Sequence, residues 1–296
     1  MATRSIPEYF VLTTIFNEIK ARDAFFNPQT MFDFGSGVGS TLWVAMQTWT
    51  NINEYMGIDI SNEMNELSKR IIKKSPLKIK DVFHRQYLPV SNLKYDLIVS
   101  AYSFMELPNT RQRLEVITKL WKKTRKYLVI VEQGTNNGFK VINEAREFIN
   151  QINKNIQEKY FIFAPCPHSN KCPRYIENRT PCNFLNQYLP LQFSGFSKHK
   201  LEFFSYIVFK KDLILIYLKI LGEATENDSW YRVVRNSIIH KNHVQCNLCT
   251  SNGQLKQIVF KKKYEKSLYK YAKRTGWGDR LPIEPNFTSN LCSENK

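Results

Sequence analysis

The sequence is poor in negative charge and contains no long apolar run. It has 26 Asp and Glu residues against 43 Lys and Arg residues, which gives a formal net charge of +17 at pH 7. A charge this large favours a polyanionic partner, and RNA or DNA is the usual one. The most apolar stretch, 203–221, is interrupted by Lys210, Lys211 and Asp212, so no run reaches the roughly 18 apolar residues of a membrane helix. The sequence therefore predicts no membrane-spanning segment.

Secretory features are also missing. The first ten residues hold no hydrophobic segment of the signal-peptide type, and the early acids Glu8 and Glu18 are unusual in a transit peptide. The chain has six cysteines, and five of them fall in two clusters. The six are Cys166, Cys172, Cys182, Cys246, Cys249 and Cys292. In a large intracellular domain, clustered cysteines more often bind a metal than form disulfides.

Strand and helix patterns alternate through the first half of the chain. The predicted strands are 30–34, 54–60, 79–84, 95–100 and 126–132, and the predicted helices are 7–26, 40–50, 62–74, 109–124 and 137–153. The fourth strand is apolar on both faces, as a buried parallel strand is. Repeated β–α units predict an α/β fold with a doubly wound parallel sheet.

The second half of the chain has a different organisation. Strand 160–164 is predicted to pair with 203–210, since both segments are aromatic and β-branched. The segment between them is rich in Cys and Pro, and we expect it to form an insertion without regular structure. Beyond about residue 224, strands are predicted at 230–239, 244–249 and 255–260, followed by a basic helical segment at 264–271. We therefore expect a main domain over 1–222 with an insertion at 164–200, and a small basic β-domain over 223–296.

A glycine loop follows the first predicted strand. Gly35, Gly37 and Gly39 stand at a strand-to-helix turn, where glycine lets the backbone approach a ligand closely. Asp59, at the end of the second strand, is placed to accept hydrogen bonds from the ribose hydroxyls of an adenosine cofactor. The G-x-G-x-G spacing resembles the first motif of class I S-adenosylmethionine (SAM) methyltransferases. We expect Asp33 to face the methionine end of SAM, and these five residues to form the cofactor site.

No catalytic residue for methyl transfer can be assigned. Adenine amino-group methylation commonly uses Asn/Asp-Pro-Pro-aromatic after the fourth strand, and residues 100–108 lack it. Cytosine methylation uses a nucleophilic cysteine, often in a Pro-Cys pair. The Pro165-Cys166 pair has this form, but it lies among other thiols in the insertion.

The cysteine insertion predicts a metal or cluster site. Cys166, Cys172 and Cys182 sit beside prolines in a turn-rich segment, which is typical of such sites. A fourth thiol has to come from elsewhere, and Cys249 is a better candidate than Cys292. The spacing favours a [4Fe–4S] cluster over zinc, which prefers two short Cys-x-x-Cys knuckles. Two alternatives stay open: unliganded buried cysteines, and zinc. The zinc ligands would be Cys166, His168, Cys172 and Cys182.

Several segments together resemble one family, the methyltransferase-like protein 17 family of mitochondrial small-ribosomal-subunit assembly factors. The matching segments are 2–9, 33–37, 95–107, 132–135, 164–168, 181–184, 248–250 and 277–279. They occur in order along nearly the whole chain. The cysteine segments and Trp-Gly-Asp at 277–279 are specific to that family, whereas the glycine loop is shared with many methyltransferases.

The resemblance implies a [4Fe–4S] cluster, a SAM pocket, and binding to small-subunit ribosomal RNA (rRNA) and ribosomal proteins in the mitochondrial matrix. The positions that match the cluster ligands are Cys166, Cys172, Cys182 and Cys249. Many family members are thought to lack methyl transfer, and an active rRNA methyltransferase is the alternative. Family members usually begin with a longer region that carries a transit peptide. Import is therefore expected to use either such a region or an internal signal.

The segment 256–280 is strongly basic. It carries nine Lys or Arg residues against Glu265 and Asp279, with aromatic residues interleaved. Cations neutralise phosphates, and aromatic rings stack on unpaired bases. We expect this segment to contact RNA rather than to be only a solvated basic face.

Overall fold

The computed structural model of the protein describes residues 2–156, 160–190, 198–211, 230–264 and 266–283. Contacts divide the chain into two compact units. The N-terminal unit comprises 1–133 and 186–204, and the C-terminal unit comprises 134–185 and 205–296. The predicted boundary at residue 222 and the alternative ligand Cys292 lie outside the described residues. None of the helices in the described part of the chain has the length and apolar content needed to cross a membrane.

The N-terminal unit is built on a parallel sheet. Its elements are α1 (Ala2–Arg22), β1 (Thr30–Phe34), α2 (Ser40–Thr48), β2 (Glu54–Ile58), α3 (Asn62–Lys73), β3 (Asp81–Arg85), β4 (Tyr95–Ala101), a 3-10 turn (Phe104–Glu106), α4 (Thr110–Lys123) and β5 (Thr124–Gln133). The strands run parallel in the order β3-β2-β1-β4-β5. This is the doubly wound order, in which the chain reverses direction across the sheet between β1 and β4. The predicted α/β fold is confirmed.

Local sequence signals set the ends of the helices. Ser61 caps α3 by accepting the Met64 N–H at 3.3 Å, and Asn109 caps α4 by accepting the Gln112 N–H at 3.0 Å. The predicted start of the first helix is wrong, because α1 begins at Ala2 and includes Pro7. The middle of β4 is fully buried, as expected of a central parallel strand.

The C-terminal unit contains mostly antiparallel strands. Its elements are α5 (Asn136–Ile156), β6 (Tyr160–Ala164), α6 (Pro173–Glu177), β9 (Tyr231–Val233), β10 (Ile238–Ile239), β11 (His243–Cys249), β12 (Leu255–Lys261), α7 (Lys266–Arg274) and β13 (Arg280–Leu281). Two further strands, β7 (Phe184–Tyr188) and β8 (Lys200–Lys211), contain residues of both units. β6 pairs antiparallel with β8, with Ile162 opposite Phe209, which confirms the predicted pairing.

The expectation that the cysteine insertion has no regular structure is wrong. α6 begins at Pro173, directly after Cys172, and β7 follows Cys182. Proline fits the first position of a helix because its missing N–H would have no partner there. The helix ends after one turn at Asn178, which adopts a left-handed conformation with φ of +50°.

The C-terminal sheet has its own hydrophobic core. β11 is central, pairing antiparallel with β9, β10 and β12, and β13 pairs with β9. Side chains alternate between the two faces of a strand, so Val244, Cys246 and Leu248 of β11 all point into this core. Tyr269 and Ala272 of α7 cover it. Cys249 points to the opposite face of β11 and therefore lies outside this core.

Candidate cofactor loop and cysteine site

The glycine loop has one position, Gly35, at which the structure leaves no space for a side chain. Gly35, Gly37 and Gly39 have φ values of +73°, +50° and +88°. A Cβ atom added to Gly35 would lie 1.8 Å from Ser103 Oγ, far inside van der Waals contact. The loop is tied to the second strand, since the N–H groups of Gly35 and Ser36 both donate to the Ile58 carbonyl. Close packing at the switch point of the sheet therefore accounts for the first glycine of the motif.

Asp59 lies beside this loop, as predicted. Its Oδ2 accepts the Gly37 N–H at 2.9 Å, and its Oδ1 accepts the Ser61 N–H at 2.9 Å. An ionised carboxylate offers about four lone-pair sites. Two therefore stay available for hydroxyl donors, as a ribose would supply. Ile60, next in the chain, is 76% exposed and offers an apolar surface beside Asp59. Sequence reasoning missed Ile60, although an apolar residue directly after the acid was a visible signal.

Asp33 is fully buried, which was not expected of a residue facing a ligand. Its Oδ2 accepts a hydrogen bond from the Tyr55 hydroxyl at 3.2 Å, and its Oδ1 has no partner among the described residues. Burial raises the pKa of Asp33 to about 7, against hydrogen bonds from Tyr55 and Thr41 that lower it. The carboxyl group stands beneath the glycine loop as a titratable group that is protonated below neutral pH.

This burial predicts a pH-dependent stability. The folded-state pKa of Asp33 lies above the ordinary value of about 3.9, so its stabilising contribution is complete below pH 4 and is lost as the pH rises through about 7. In the wild type, ionisation of Asp33 should lower the free energy of unfolding by about 2 kcal/mol between pH 5 and pH 8. We expect Asp33→Asn to abolish this decrease. Urea unfolding at both pH values measures this. An identical fall in wild type and variant would contradict the assignment.

The end of β4 is occupied by contacts within the chain. Tyr102 has φ of +57°, and the Arg4 guanidinium lies 4.4 Å from the centre of its ring. Ser103 Oγ donates to backbone carbonyls, the nearest being that of Ala101 at 3.0 Å. Glu132 accepts the N–H groups of Phe104 and Met105. The residues that follow β4 are thus held by side chains of the same unit.

The four cysteines predicted as ligands line one cavity of the C-terminal unit. The space between them is narrow and partly open to solvent. Cys166 and Cys182 are half-buried, and Cys172 and Cys249 are buried. Cys249 reaches this cavity because it lies on the face of β11 opposite the hydrophobic core, whereas Cys246 lies within that core. Strand alternation therefore separates two cysteines that are only three residues apart.

The thiols influence one another electrostatically. Burial raises the pKa of Cys172 to about 11, with a further rise from Cys166, while the N–H groups of Tyr175 and Arg174 at the start of α6 lower it. Burial also raises the pKa of Cys182 and Cys249, and both have neighbouring thiols among the causes. Thiols that must lose protons together in an apolar cavity need a positively charged centre to do so.

His168 adjoins this cysteine site. Its Nε2 lies 3.4 Å from Cys249 Sγ, and burial and Arg146 lower the pKa of the imidazole to about 4, so it is neutral. Within the described ranges, no group of three or more His, Cys, Asp or Glu side chains is arranged to hold a metal ion. A tetrahedral zinc ion needs its ligands within about 2.0–2.3 Å of one point. The side chains therefore share a cavity without converging on a single point.

Sequence reasoning missed the arginines around the thiols. Arg146, Arg174 and Arg232 are 2%, 9% and 4% exposed. Arg146 follows buried Ile142 and precedes buried Ile149 at helical spacing, so a charge on the buried face of α5 was the visible signal. Arg232 likewise lies between Tyr231 and Val233, two core residues of β9, so its side chain points to the opposite face of the strand.

The basic segment forms a surface in the same unit. A groove there is lined by residues of the β10–β11 turn and of the segment after β12. They are Asn242, His243, Lys261, Lys262, Lys263, Tyr264 and Lys266. Tyr264 is 51% exposed, and the ammonium groups of Lys261 and Lys263 lie 5.9 and 5.8 Å from the centre of its ring. His240 and His243 stack beside it with ring centres 4.2 Å apart. We call the groove lined by residues 242, 243, 261–264 and 266 the basic groove.

Strand order, glycine loop and Asp59 together define an α/β domain of the class I methyltransferase type. The chain also matches the family described as "Mitochondrial small ribosomal subunit Rsm22" over residues 1–282. It belongs to that family, which confirms the resemblance found in the sequence.

Two relatives and one solved structure illustrate the match. The human protein named "Ribosome assembly protein METTL17, mitochondrial" is 35% identical over 96% of this chain and 62% of its own length. "Rsm22-cox11 tandem protein 2, mitochondrial" of Schizosaccharomyces pombe is 27% identical over 67% of this chain and 30% of its own length. The magnesium protoporphyrin IX methyltransferase of Synechocystis with bound SAH has a TM-score of 0.46 and 13% identity, covering 69% of this chain and 83% of its own.

The chain spans less than two thirds of the length of the relatives it matches. The family and both relatives are named as mitochondrial, which confirms the predicted location.

Proposed function

We propose that this chain is an assembly factor of the mitochondrial small ribosomal subunit that binds rRNA in the matrix. Membership of a family named for the mitochondrial small ribosomal subunit, matched over residues 1–282, supports the link to that subunit. The human relative's name, ribosome assembly protein, agrees with it. Ribosomal RNA is the polyanion that a chain with net charge +17 would meet in such a role. Ribosomal proteins of the same subunit are the further partners proposed.

The basic groove is the surface proposed to contact rRNA. Exposed lysines flank an exposed tyrosine there, and this combination suits single-stranded RNA, whose phosphates need cations and whose unpaired bases need rings. Quantitative binding to a mitochondrial small-subunit rRNA fragment tests this, with a transfer RNA of similar length as competitor. Equal affinity for both RNAs at 150 mM salt would count against a ribosomal target.

The cysteine site is proposed to hold a [4Fe–4S] cluster through Cys166, Cys172, Cys182 and Cys249. The donor set fits, because the cavity offers four thiols and no carboxylate. In a cluster each thiolate binds a different iron, so the donors need not converge on one point as they do around zinc. Two buried cationic N–H groups, Arg146 Nε and Arg174 Nε, have no partner among the described residues, which suits an anionic group. When bound, the cluster would supply cross-linking and one-electron redox capacity.

The four thiols come from three segments of the C-terminal unit. Cys166 and Cys172 lie on the loop between β6 and α6, Cys182 precedes β7, and Cys249 ends β11. β11 and β12 extend from Cys249 opposite Leu255 to His243 opposite Lys261 in the basic groove. At about 3.4 Å per residue these ends are roughly 20 Å apart. The ligand at one end would therefore hold in place the hairpin that presents lysines at the other.

SAM is proposed to bind at the glycine loop, with Gly35, Gly37, Gly39 and Asp59 in contact and Asp33 beneath them. We expect Asp59→Ala to weaken SAM binding at least tenfold, because the variant loses both ribose hydrogen bonds, each contributing about 1 kcal/mol. Isothermal titration of the purified chain measures this. Glu115→Gln, an exposed carboxyl on α4, is the matched control and should leave the affinity unchanged. Equal affinities in all three proteins would sink the proposed site.

We propose that the chain does not transfer the methyl group. The sequence lacks an acceptor motif after β4, and Tyr102, Ser103 and Glu132 are engaged in contacts within the unit. Transfer of tritiated methyl groups from SAM to small-subunit rRNA, or to a pre-ribosomal particle, tests the alternative of an active methyltransferase. Incorporation that Asp59→Ala or Asp33→Ala abolishes would show that the alternative is correct.

A further inference from the structure

Three buried arginines surround the four thiols of the C-terminal unit. Arg146 belongs to α5, Arg174 to α6 and Arg232 to β9. Arginine is rarely buried unless its charge is compensated. Two such side chains lining one small cavity, and a third bonded to the loop between two of its thiols, are therefore a feature that packing alone does not explain.

Each arginine interacts with a different part of the thiol set. The Arg146 guanidinium interacts electrostatically with Cys166 and Cys172. Arg174 is among the charges that act on Cys182, and Arg232 is among those that act on Cys249. Arg174 and Arg232 also line the cavity that the four thiols share, and Arg232 lies opposite Cys249 in the β9–β11 pair.

Backbone carbonyls hold these guanidinium groups in position. Arg146 donates to the carbonyls of His168 and Asn170, within the loop between two thiols. Arg232 donates to the carbonyl of Pro165 at 2.8 Å and to that of Gly278 at 2.7 Å. The second of these carbonyls belongs to the Trp-Gly-Asp segment at 277–279.

Within the described ranges, carboxylates compensate the charges of Arg146 and Arg174 only in part. Arg174 donates to Thr180 and to the Val234 carbonyl, at 3.4 Å for the latter, and has no carboxylate partner among the described residues. Glu147, which is itself partly exposed, is the one carboxylate that pairs with Arg146 in the described part of the chain. Carbonyl oxygens orient a guanidinium group without neutralising it. The cavity is therefore prepared for an anion.

We infer that Arg146, Arg174 and Arg232 form a cationic shell that stabilises a net-negative iron–sulfur cluster and raises its reduction potential. The inference rests on the proposed cluster site. Four thiolates leave such a cluster with a net negative charge, and one-electron reduction makes it more negative. Fixed cations beside the sulfur atoms therefore favour the reduced form and retard loss of iron. In this shell the arginines are positioning residues, and the thiols remain the ligands.

The experiment uses the full chain reconstituted without oxygen, with iron and sulfide content measured first. Reduction potential is then determined by a dye-equilibrated titration followed by electron paramagnetic resonance. We expect Arg146→Gln to lower the potential by about 59 mV, which corresponds to a tenfold weaker preference for the reduced cluster. Iron release to a chelator should be several-fold faster. Arg146→Lys, which keeps the charge, should restore most of the potential, although its hydrogen bonds differ.

Arg274→Gln, an exposed residue at the end of α7, is the matched control and should match wild type. A loaded Arg146→Gln variant with unchanged potential and unchanged iron release overturns the inference and leaves the cluster in place. Should Arg146→Gln not fold, the same two measurements on Arg174→Gln decide. A wild-type chain that takes up no iron and sulfide overturns the proposed cluster, and the inference with it.

Discussion

Replacing Cys249 by Ala is expected to abolish cluster binding, whereas replacing Cys246 by Ala is expected to preserve it. Both thiols are buried in β11 and lie three residues apart. Cys249 faces the cavity shared by Cys166, Cys172 and Cys182, and Cys246 packs in the core of the C-terminal sheet. A [4Fe–4S] cluster that loses one of its four thiolates loses an anionic bond, which the neutral imidazole of His168, 3.4 Å from Cys249 Sγ, does not restore in kind.

The same pair should differ strongly in stability. Binding of a structural metal centre to a preformed site contributes directly to folding free energy, so Cys249→Ala should lower the melting temperature of the reconstituted chain by about 10 °C or more. Cys246→Ala removes one buried sulfur atom, which has a Ser237 hydroxyl 3.2 Å away, and should cost about 1 kcal/mol. Absorbance near 400 nm, iron and sulfide content, and thermal unfolding measured without oxygen give the comparison. Equal iron content in the two variants would show that Cys249 is not a ligand.

The sequence predicted the parallel sheet well because its signals are local. β1 has its predicted bounds, Thr30–Phe34, and the glycine loop and Asp59 are adjacent in the structure as their spacing predicted. An apolar run followed by glycines at fixed spacing leaves few alternatives for a buried parallel strand. The position of Asp33 was less predictable. Whether its carboxyl group faces a ligand or the Tyr55 hydroxyl depends on a neighbouring strand.

The cysteine site shows a different limit. The sequence predicted the four thiols that line one cavity, but two of the arginines near them come from α5 and β9, which lie outside the cysteine segment along the chain. No spacing rule connects Arg146 with His168 or Arg232 with Gly278. Such contacts follow only from the tertiary arrangement. The short helix α6 was missed for a related reason, since the local abundance of proline suggested irregular structure while Pro173 occupies the one helical position that favours it.

Substitution of Lys261, Lys263 and Lys266 by Gln is expected to weaken rRNA binding strongly while leaving the fold intact. All three line the basic groove, and two of them lie near the exposed ring of Tyr264. Each contact to a single-stranded phosphate contributes about 0.7 to the slope of log affinity against log salt. Losing three should therefore reduce the slope by about 2 and weaken binding roughly 50-fold at 0.15 M salt. Fluorescence anisotropy with a labelled rRNA fragment at four salt concentrations measures both quantities.

The matched control for this prediction carries the same charge change elsewhere. Lys73, Lys119 and Lys122 are exposed on α3 and α4 of the N-terminal unit, and their replacement by Gln also lowers the net charge by three. If binding were a non-specific response to net charge, both triple variants would lose affinity to a similar extent. A contact surface at the basic groove requires a large loss only in the first variant. Its iron content should equal that of wild type, because the substituted lysines lie at the far end of the β11–β12 pair from Cys249.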